Sequence, residues 1–191
     1  MRMLIGVLGL QGAVSEHERM LADCGAKTRR VKTPEDLNGL DGIVVPGGES
    51  TAIRKLLVRE SMLEPLRDLV AQGLPTFGTC AGMVLLAQPE SLAGIHADVE
   101  RNGFGRQRES FESDLQVTGW ETPFHGVFIR APYLKSVSAP AEALITLDDG
   151  RIVAATEKNV LTTAFHPELT GDKRFHQYFI DEFVKATTKT A

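Results

Sequence analysis

Three short stretches carry side chains that could do covalent chemistry: Phe77-Gly78-Thr79-Cys80-Ala81-Gly82, Phe165-His166-Pro167-Glu168 and Pro46-Gly47-Gly48-Glu49-Ser50. In the first, a cysteine stands between two small-residue pairs, after one apolar run and before another. A G-x-nucleophile-x-G turn from strand to helix holds its central side chain strained and exposed, and the helix N-terminus favours the thiolate. The N–H of Ala81 would face the oxyanion formed when sulfur attacks a carbonyl. Tight packing of a helix on a sheet produces the same pentapeptide, so taken alone it leaves Cys80 as nucleophile or as core filler.

A thiolate needs a base, and the chain has five histidines. His17 falls on the first helix, His96 and His125 in β-rich or turn surroundings, and His176 on the last helix. His166 ends a strand and precedes a proline, which keeps it in extended backbone. Glu168, two residues on, can hold the far ring nitrogen and set its tautomer. By itself a His-Pro-Glu is an ordinary surface turn, and a Pro-Gly-Gly an ordinary loop. In the third stretch Gly48 offers a second N–H to an oxyanion, with Glu49 and Ser50 beside a substrate, and the Gly-Lys-Ser/Thr of a phosphate loop is missing. Together the three describe acyl transfer through a thioester, with Cys80 attacking, His166 moving protons and Glu168 orienting His166.

The elements that must position them alternate. Residues 3–8 read as a short buried strand, and Val14, Glu18, Leu21 and Cys24 follow helical spacing up to Gly25, with Cys24 as a core filler. Strands follow at 27–31, 41–45 and 74–78, with a helical turn at 34–40 and helices at 62–72 and 81–88. Ser50 or Thr51 caps a further helix that runs through Val58. This order predicts an α/β fold: a doubly wound, mainly parallel central sheet with flanking helices, whose ligands gather at the carboxyl ends of the strands. Residues 93–155 turn β-rich, with a hairpin at Asp148-Asp149-Gly150, and predict an antiparallel extension of that sheet. A last strand covers 159–165, and Phe175, Phe179 and Phe183 mark an amphipathic C-terminal helix.

The 191 residues are read as one domain, with 42% hydrophobic and 24% charged residues typical of a globular chain. A net charge of −4 argues against nucleic acid or an anionic membrane as partner. The apolar N-terminus is too short for a signal peptide and lacks a cleavage site, and no run reaches the roughly 20 residues of a membrane span, so a cytoplasmic location is expected. The two cysteines lack the spacing of a disulfide framework or a metal site, so no metal is expected.

With GTCAG, PGGES and FHPE in place, the chain resembles the class I, triad-type glutamine amidotransferases, whose sheet is flavodoxin-like. More narrowly it is similar to the glutaminase subunits of the two-protein pyridoxal 5′-phosphate synthases. That likeness rests on IGVLGLQG at 5–12, PGGEST, FGTCAGM, Glu100-Arg101-Asn102, Phe104-Gly105-Arg106-Gln107, Phe128-Ile129-Arg130-Ala131-Pro132 and Phe165-His166-Pro167-Glu168-Leu169-Thr170. The resemblance implies hydrolysis of L-glutamine to glutamate and ammonia. The ammonia would pass to a (β/α)8-barrel synthase subunit, in a large hetero-oligomer, that makes pyridoxal 5′-phosphate from a pentose and a triose phosphate. That compound is then the product of the complex, and no cofactor is implied for this chain.

The resemblance also implies roles by matched motif: Cys80 as nucleophile, His166 and Glu168 as its relay, and Gly48, Glu49 and Ser50 as the glutamine-binding loop. Arg101 matches a substrate-contacting arginine, and Ile129 with Arg130 a further substrate-binding pair. A guanidinium suits the two-point grip of an α-carboxylate, although without the resemblance both arginines read as ordinary ion-pair residues. Gln11 is a candidate for coupling partner docking to the oxyanion site, or else a helix-entry residue. Residues 87–99 look shorter than in some relatives, which bears on a partner-facing surface. Competing readings are a glutaminase serving another pathway, such as histidine or tryptophan synthesis, and a cysteine peptidase or deglycase-like hydrolase. A regulatory protein without activity fits poorly, because Cys80, His166 and Glu168 are all present.

Overall fold

The apolar runs become strands that are buried on both faces. The computed structural model describes residues 3–105 and 110–190, so Met1 and Arg2, and Arg106 and Gln107 of one family-like block, lie outside the described residues. The first half runs β1 (Leu4–Leu8), α1 (Val14–Asp23), β2 (Lys27–Val31), a 3-10 turn (Pro34–Leu37), β3 (Gly42–Val45), α2 (Ser50–Arg59), α3 (Leu63–Ala71), β4 (Thr76–Thr79) and α4 (Ala81–Ala87). Then come β5 (Ala97–Glu100), β6 (Ser110–Leu115), β7 (Phe124–Ile129), β8 (Tyr133–Val137), β9 (Glu142–Thr146), β10 (Ile152–Glu157) and β11 (Val160–Thr163). After a 3-10 turn at Pro167–Leu169 the chain ends in α5 (Arg174–Tyr178), a π turn (Phe179–Val184) and α6 (Lys185–Thr190).

The main sheet has the order β2-β1-β3-β4-β11-β10-β8-β5, with β9 also paired to β10. The strands from β2 to β11 are parallel, and β10, β8, β9 and β5 extend them antiparallel. Every residue of β3, β4 and β11 is buried, as expected for central parallel strands covered on both faces. The outer β2 carries Lys27 and Arg30 exposed, charges that keep an edge from pairing with another chain.

Several expectations need correction. The segment with Ile129 and Arg130 does not extend the main sheet: β6 and β7 form a separate two-stranded ribbon. Along β7, Phe124, Gly126 and Phe128 face inward and His125 and Ile129 outward, the two-residue period of a half-buried strand. Phe124 and Phe128 pack on Phe165, with ring centroids 5.7 and 5.5 Å away, so the ribbon is anchored at the end of β11.

Neither Ser50 nor Thr51 caps α2. Glu49 does, its carboxylate accepting the N–H groups of Thr51 and Ala52 at 3.0 and 2.8 Å, since an anion suits a helix start. On α1 the inward residues are Val14, His17, Met20 and Leu21, while Glu18 pairs with Arg30 at 2.6 Å on the surface. Cys24 caps the end of that helix and packs against the core only half-buried. Phe175, Phe179 and Phe183 are buried as expected. Their four-residue spacing drifts around a 3.6-residue turn, and the wider π turn keeps them on one face.

Candidate active site

Three neighbouring strands end at one place. β3 leads into Pro46-Gly47-Gly48, β4 into Cys80 and β11 into His166, and these strands are adjacent in the sheet. Cys80 is held at φ 51°, ψ −106°, a conformation that costs a non-glycine residue about 1–3 kcal/mol and persists only where the surroundings impose it. The glycines beside it make this possible by close approach. A Cβ on Gly78 would lie 2.5 Å from Leu86 Cδ1, and one on Gly82 would collide with the Val45 carbonyl.

His166 is 8% exposed, and its backbone N–H donates to the Val127 carbonyl at 2.8 Å, tying the end of β11 to the ribbon. Its Nδ1 lies 2.7 Å from Glu168 Oε1, which leaves Nε2 to serve Cys80. Burial disfavours the imidazolium, but the hydrogen bonds to Cys80 and Glu168, with their charges, outweigh it and raise the pKa of His166 to about 10. An imidazole held next to a cysteine sulfur in this way is placed to exchange a proton with it. Gly47 closes the site from the third strand end: a Cβ there would stand 2.6 Å from His166 Cε1 and 3.2 Å from Cys80 Cβ.

Cys80, Ala81, His166 and all the residues assigned to substrate binding line one cavity of about 830 Å³, joined by Asn102, Phe104 and Pro132. Cys80, Asn102 and Arg130 on its wall all have positive φ, a clustering typical of ligand sites. The ribbon brings the Ile129 carbonyl 3.8 Å from Cys80 Sγ. Arg101 donates to Thr51 Oγ1 at 2.8 Å and lies 3.2 Å from Glu49 Oε1. Hydrogen bonds from Thr51 and Ala52, with the charge of Arg101, hold the Glu49 carboxyl below its usual range.

Two expected residues lie off the cavity wall. Glu168 sits behind His166, 5% exposed. Gln11, at the end of β1, accepts the N–H of Glu49 at 2.8 Å and so braces the Gly48–Glu49 peptide from outside. The two surface histidines are engaged elsewhere, His96 with Glu157 at 2.8 Å and His125 with Glu112 and Asp114 at 2.6 and 2.8 Å. The short segment after α4 folds back on that helix, through Leu92 N–H to the Leu85 carbonyl and Gly94 N–H to the Leu86 carbonyl.

His17 and His176 fall on α1 and α5, as their helical positions implied, but nothing in the sequence showed that they are buried together. His17 and His176 are both 0% exposed, and their rings meet at 2.8 Å behind the site. For His17 the signal of burial was the spacing of Val14, His17 and Leu21 on one helix face, which Glu18 imitated equally well.

The sequence profile of the SNO glutamine amidotransferase family matches residues 7–185. The chain is 53% identical over 186 residues to the pyridoxal 5′-phosphate synthase subunit PdxT of Listeria welshimeri, covering 94% of this chain and 98% of that one. It is 52% identical over 189 residues to the protein of the same name from Herpetosiphon aurantiacus, covering 93% and 99%. A crystal structure of a glutamine amidotransferase aligns with a TM-score of 0.87 at 44% identity, over 95% of this chain and 98% of that one.

Proposed function

The chain belongs to the SNO glutamine amidotransferase family, and on that premise we propose that it hydrolyses L-glutamine for a pyridoxal 5′-phosphate synthase, handing the ammonia to the synthase subunit. The observation that carries this reading is the strained Cys80 beside a His166–Glu168 pair at neighbouring strand ends, on the wall of one cavity.

In this mechanism the Cys80 thiolate attacks the side-chain amide carbon of glutamine, and the carbonyl π electrons move to oxygen. N–H groups at Ala81 and in the Gly48 loop stabilise the oxyanion. The His166 imidazolium gives its proton to the amide nitrogen, the C–N bond breaks, and ammonia leaves a thioester on Cys80. His166, now neutral, takes a proton from water as the hydroxyl attacks the thioester. The C–S bond then breaks, releasing the acid, which loses its proton to solvent as glutamate, and restoring the thiolate–imidazolium pair. Glu168 holds the imidazole in one tautomer and orientation throughout.

Arg101 and Arg130, with Glu49, Ser50 and Ile129, fit the polar end of the substrate, an arginine taking the α-carboxylate and Glu49 the α-ammonium. No cofactor enters these steps; pyridoxal 5′-phosphate is the product made on the partner, for which a (β/α)8-barrel subunit is proposed. Gln11 connects the loop to the outer surface and is the residue through which a docked partner would act on it. Ammonia released from glutamine tests the reading, assayed with and without the synthase. We expect hydrolysis that rises when the synthase is added and vanishes in Cys80→Ala. No hydrolysis by the complex, or full activity in Cys80→Ala, overturns it.

A further inference from the structure

We propose that His17 is a positioning residue of this site: its Nε2–H supports the second carboxylate oxygen of Glu168, and His176 fixes the tautomer in which it can do so. This deepens the glutaminase reading and rests on it.

The observation that calls for a partner is an orphaned atom. Glu168 gives Oε1 to His166 at 2.7 Å, but its Oε2 is buried with no hydrogen-bond partner among the described residues. A buried carboxylate oxygen left unserved is costly. His17 Nε2 stands 3.5 Å from it and 3.2 Å from Thr79 Oγ1. At that distance the N–H is shared rather than committed, as catalytic contacts often are before substrate tightens them.

The tautomers follow from which groups can be satisfied. His17 Nδ1 and His176 Nε2 lie 2.8 Å apart, so one donates and the other accepts. His176 Nδ1 is buried with no partner among the described residues. Were its proton on Nδ1, a buried N–H would be orphaned and the bare Nε2 of His17 would point at a carboxylate. With the proton on Nε2, His176 donates to His17, only an acceptor goes unpaired, and His17 Nε2–H faces Thr79 and Glu168. The second arrangement leaves the cheaper defect.

The pair is held in place and held neutral. Phe77, on the strand that leads to Cys80, packs against both rings with centroids 6.5 and 5.5 Å away. Burial, then the charges of His176 and His166, keep His17 well below its ordinary pKa, and burial lowers His176 to about 3. A neutral N–H steadies Glu168 without competing with His166 for its charge. Through His176 on α5, the C-terminal segment is thereby joined to the nucleophile.

The test is His17→Leu against His17→Gln in the full chain. It reads glutamine turnover in the presence of the synthase and, independently, the pH dependence of Cys80 alkylation by iodoacetamide. We expect His17→Leu to lower kcat about 10- to 100-fold, the loss of one hydrogen bond to a charged group, with KM little changed, and to move the alkylation rise to higher pH. His17→Gln, whose amide N–H replaces the lost donor, should restore both. An unchanged kcat and alkylation profile in His17→Leu overturns the proposal, as do equal losses in both variants, which would mean packing alone. If His17→Leu does not fold, His176→Phe must still move the profile, and an unmoved one overturns the proposal. A wild-type complex that releases no ammonia sinks the glutaminase reading, while the alkylation profiles still decide the role of His17.

Discussion

The backbone N–H of Cys80 donates to the carbonyl of Thr163 at 2.8 Å. That bond continues the pairing of β4 with β11, in which Thr79 stands opposite Thr163, one residue beyond the strand. The turn that carries the sulfur is thus fastened to the strand that delivers the imidazole. Sheet register therefore sets their separation.

Glu168→Gln keeps the shape behind His166 but removes the charge that steadies the imidazolium. Steady-state kinetics on glutamine should show kcat lower by about 10²- to 10⁴-fold with KM nearly unchanged. An unaltered kcat would take Glu168 out of the mechanism.

Gly47→Ala places a methyl carbon 2.6 Å from His166 Cε1 and 3.2 Å from Cys80 Cβ, so the ring and the loop must shift relative to one another. A shift of a few tenths of an ångström at reacting groups should cost more than about tenfold in kcat, with the thermal melting point little changed. Gly171→Ala, where an added Cβ meets nothing within 4 Å, is the matched control and should leave kcat untouched. Equal rates for the two variants would show that Gly47 does not set the ring position.

Arg101→Ala removes the guanidinium that already faces Glu49 and Thr51 across the cavity. We expect KM for glutamine to rise about 10- to 100-fold, the loss of one charge-assisted contact, with a smaller change in kcat. Arg101→Lys should recover little of this, because a point charge does not reproduce a two-point grip. A KM equal to wild type in Arg101→Ala would assign the carboxylate to another residue.

The buried histidines should make the protein acid-sensitive. His17 and His176 titrate in the folded chain below the ordinary 6.5, His176 at about 3, because burial disfavours their charged forms. Below pH 6.5 the unfolded chain therefore binds more protons. Stability is fully present above that pH and falls as pH drops toward 3, by up to about 1.4 kcal/mol per pH unit for each histidine. His166 acts in the other direction: raised to about 10, it contributes stability below pH 6.5 that is lost as pH climbs through 10. Urea unfolding at pH 5 and 7.5 should show a smaller acid loss in His176→Phe than in wild type. Identical losses would rule out His176 as a source of the effect.

The sequence by itself determined the scaffold of this protein and which residues stand at its strand ends. Short apolar runs punctuated by glycine and proline are local signals, so the strands that end at Pro46, Cys80 and His166 could be read residue by residue, and so could the reach of Glu168 to His166. Tertiary structure alone decided the rest. Ser50, Thr51 and Glu49 are all acceptable helix caps, and the choice of Glu49 came with a carboxylate already facing Arg101. The strand bearing Ile129 alternates like any other, and only the docking of Phe124 and Phe128 on Phe165 placed it over the sulfur rather than at the edge of the sheet. His17 and Glu18 both follow Val14 at helical spacing. Packing turned His17 inward against His176 and left Glu18 to Arg30, because burial depends on what stands opposite a side chain, and residues 159 positions apart in the chain meet only after folding.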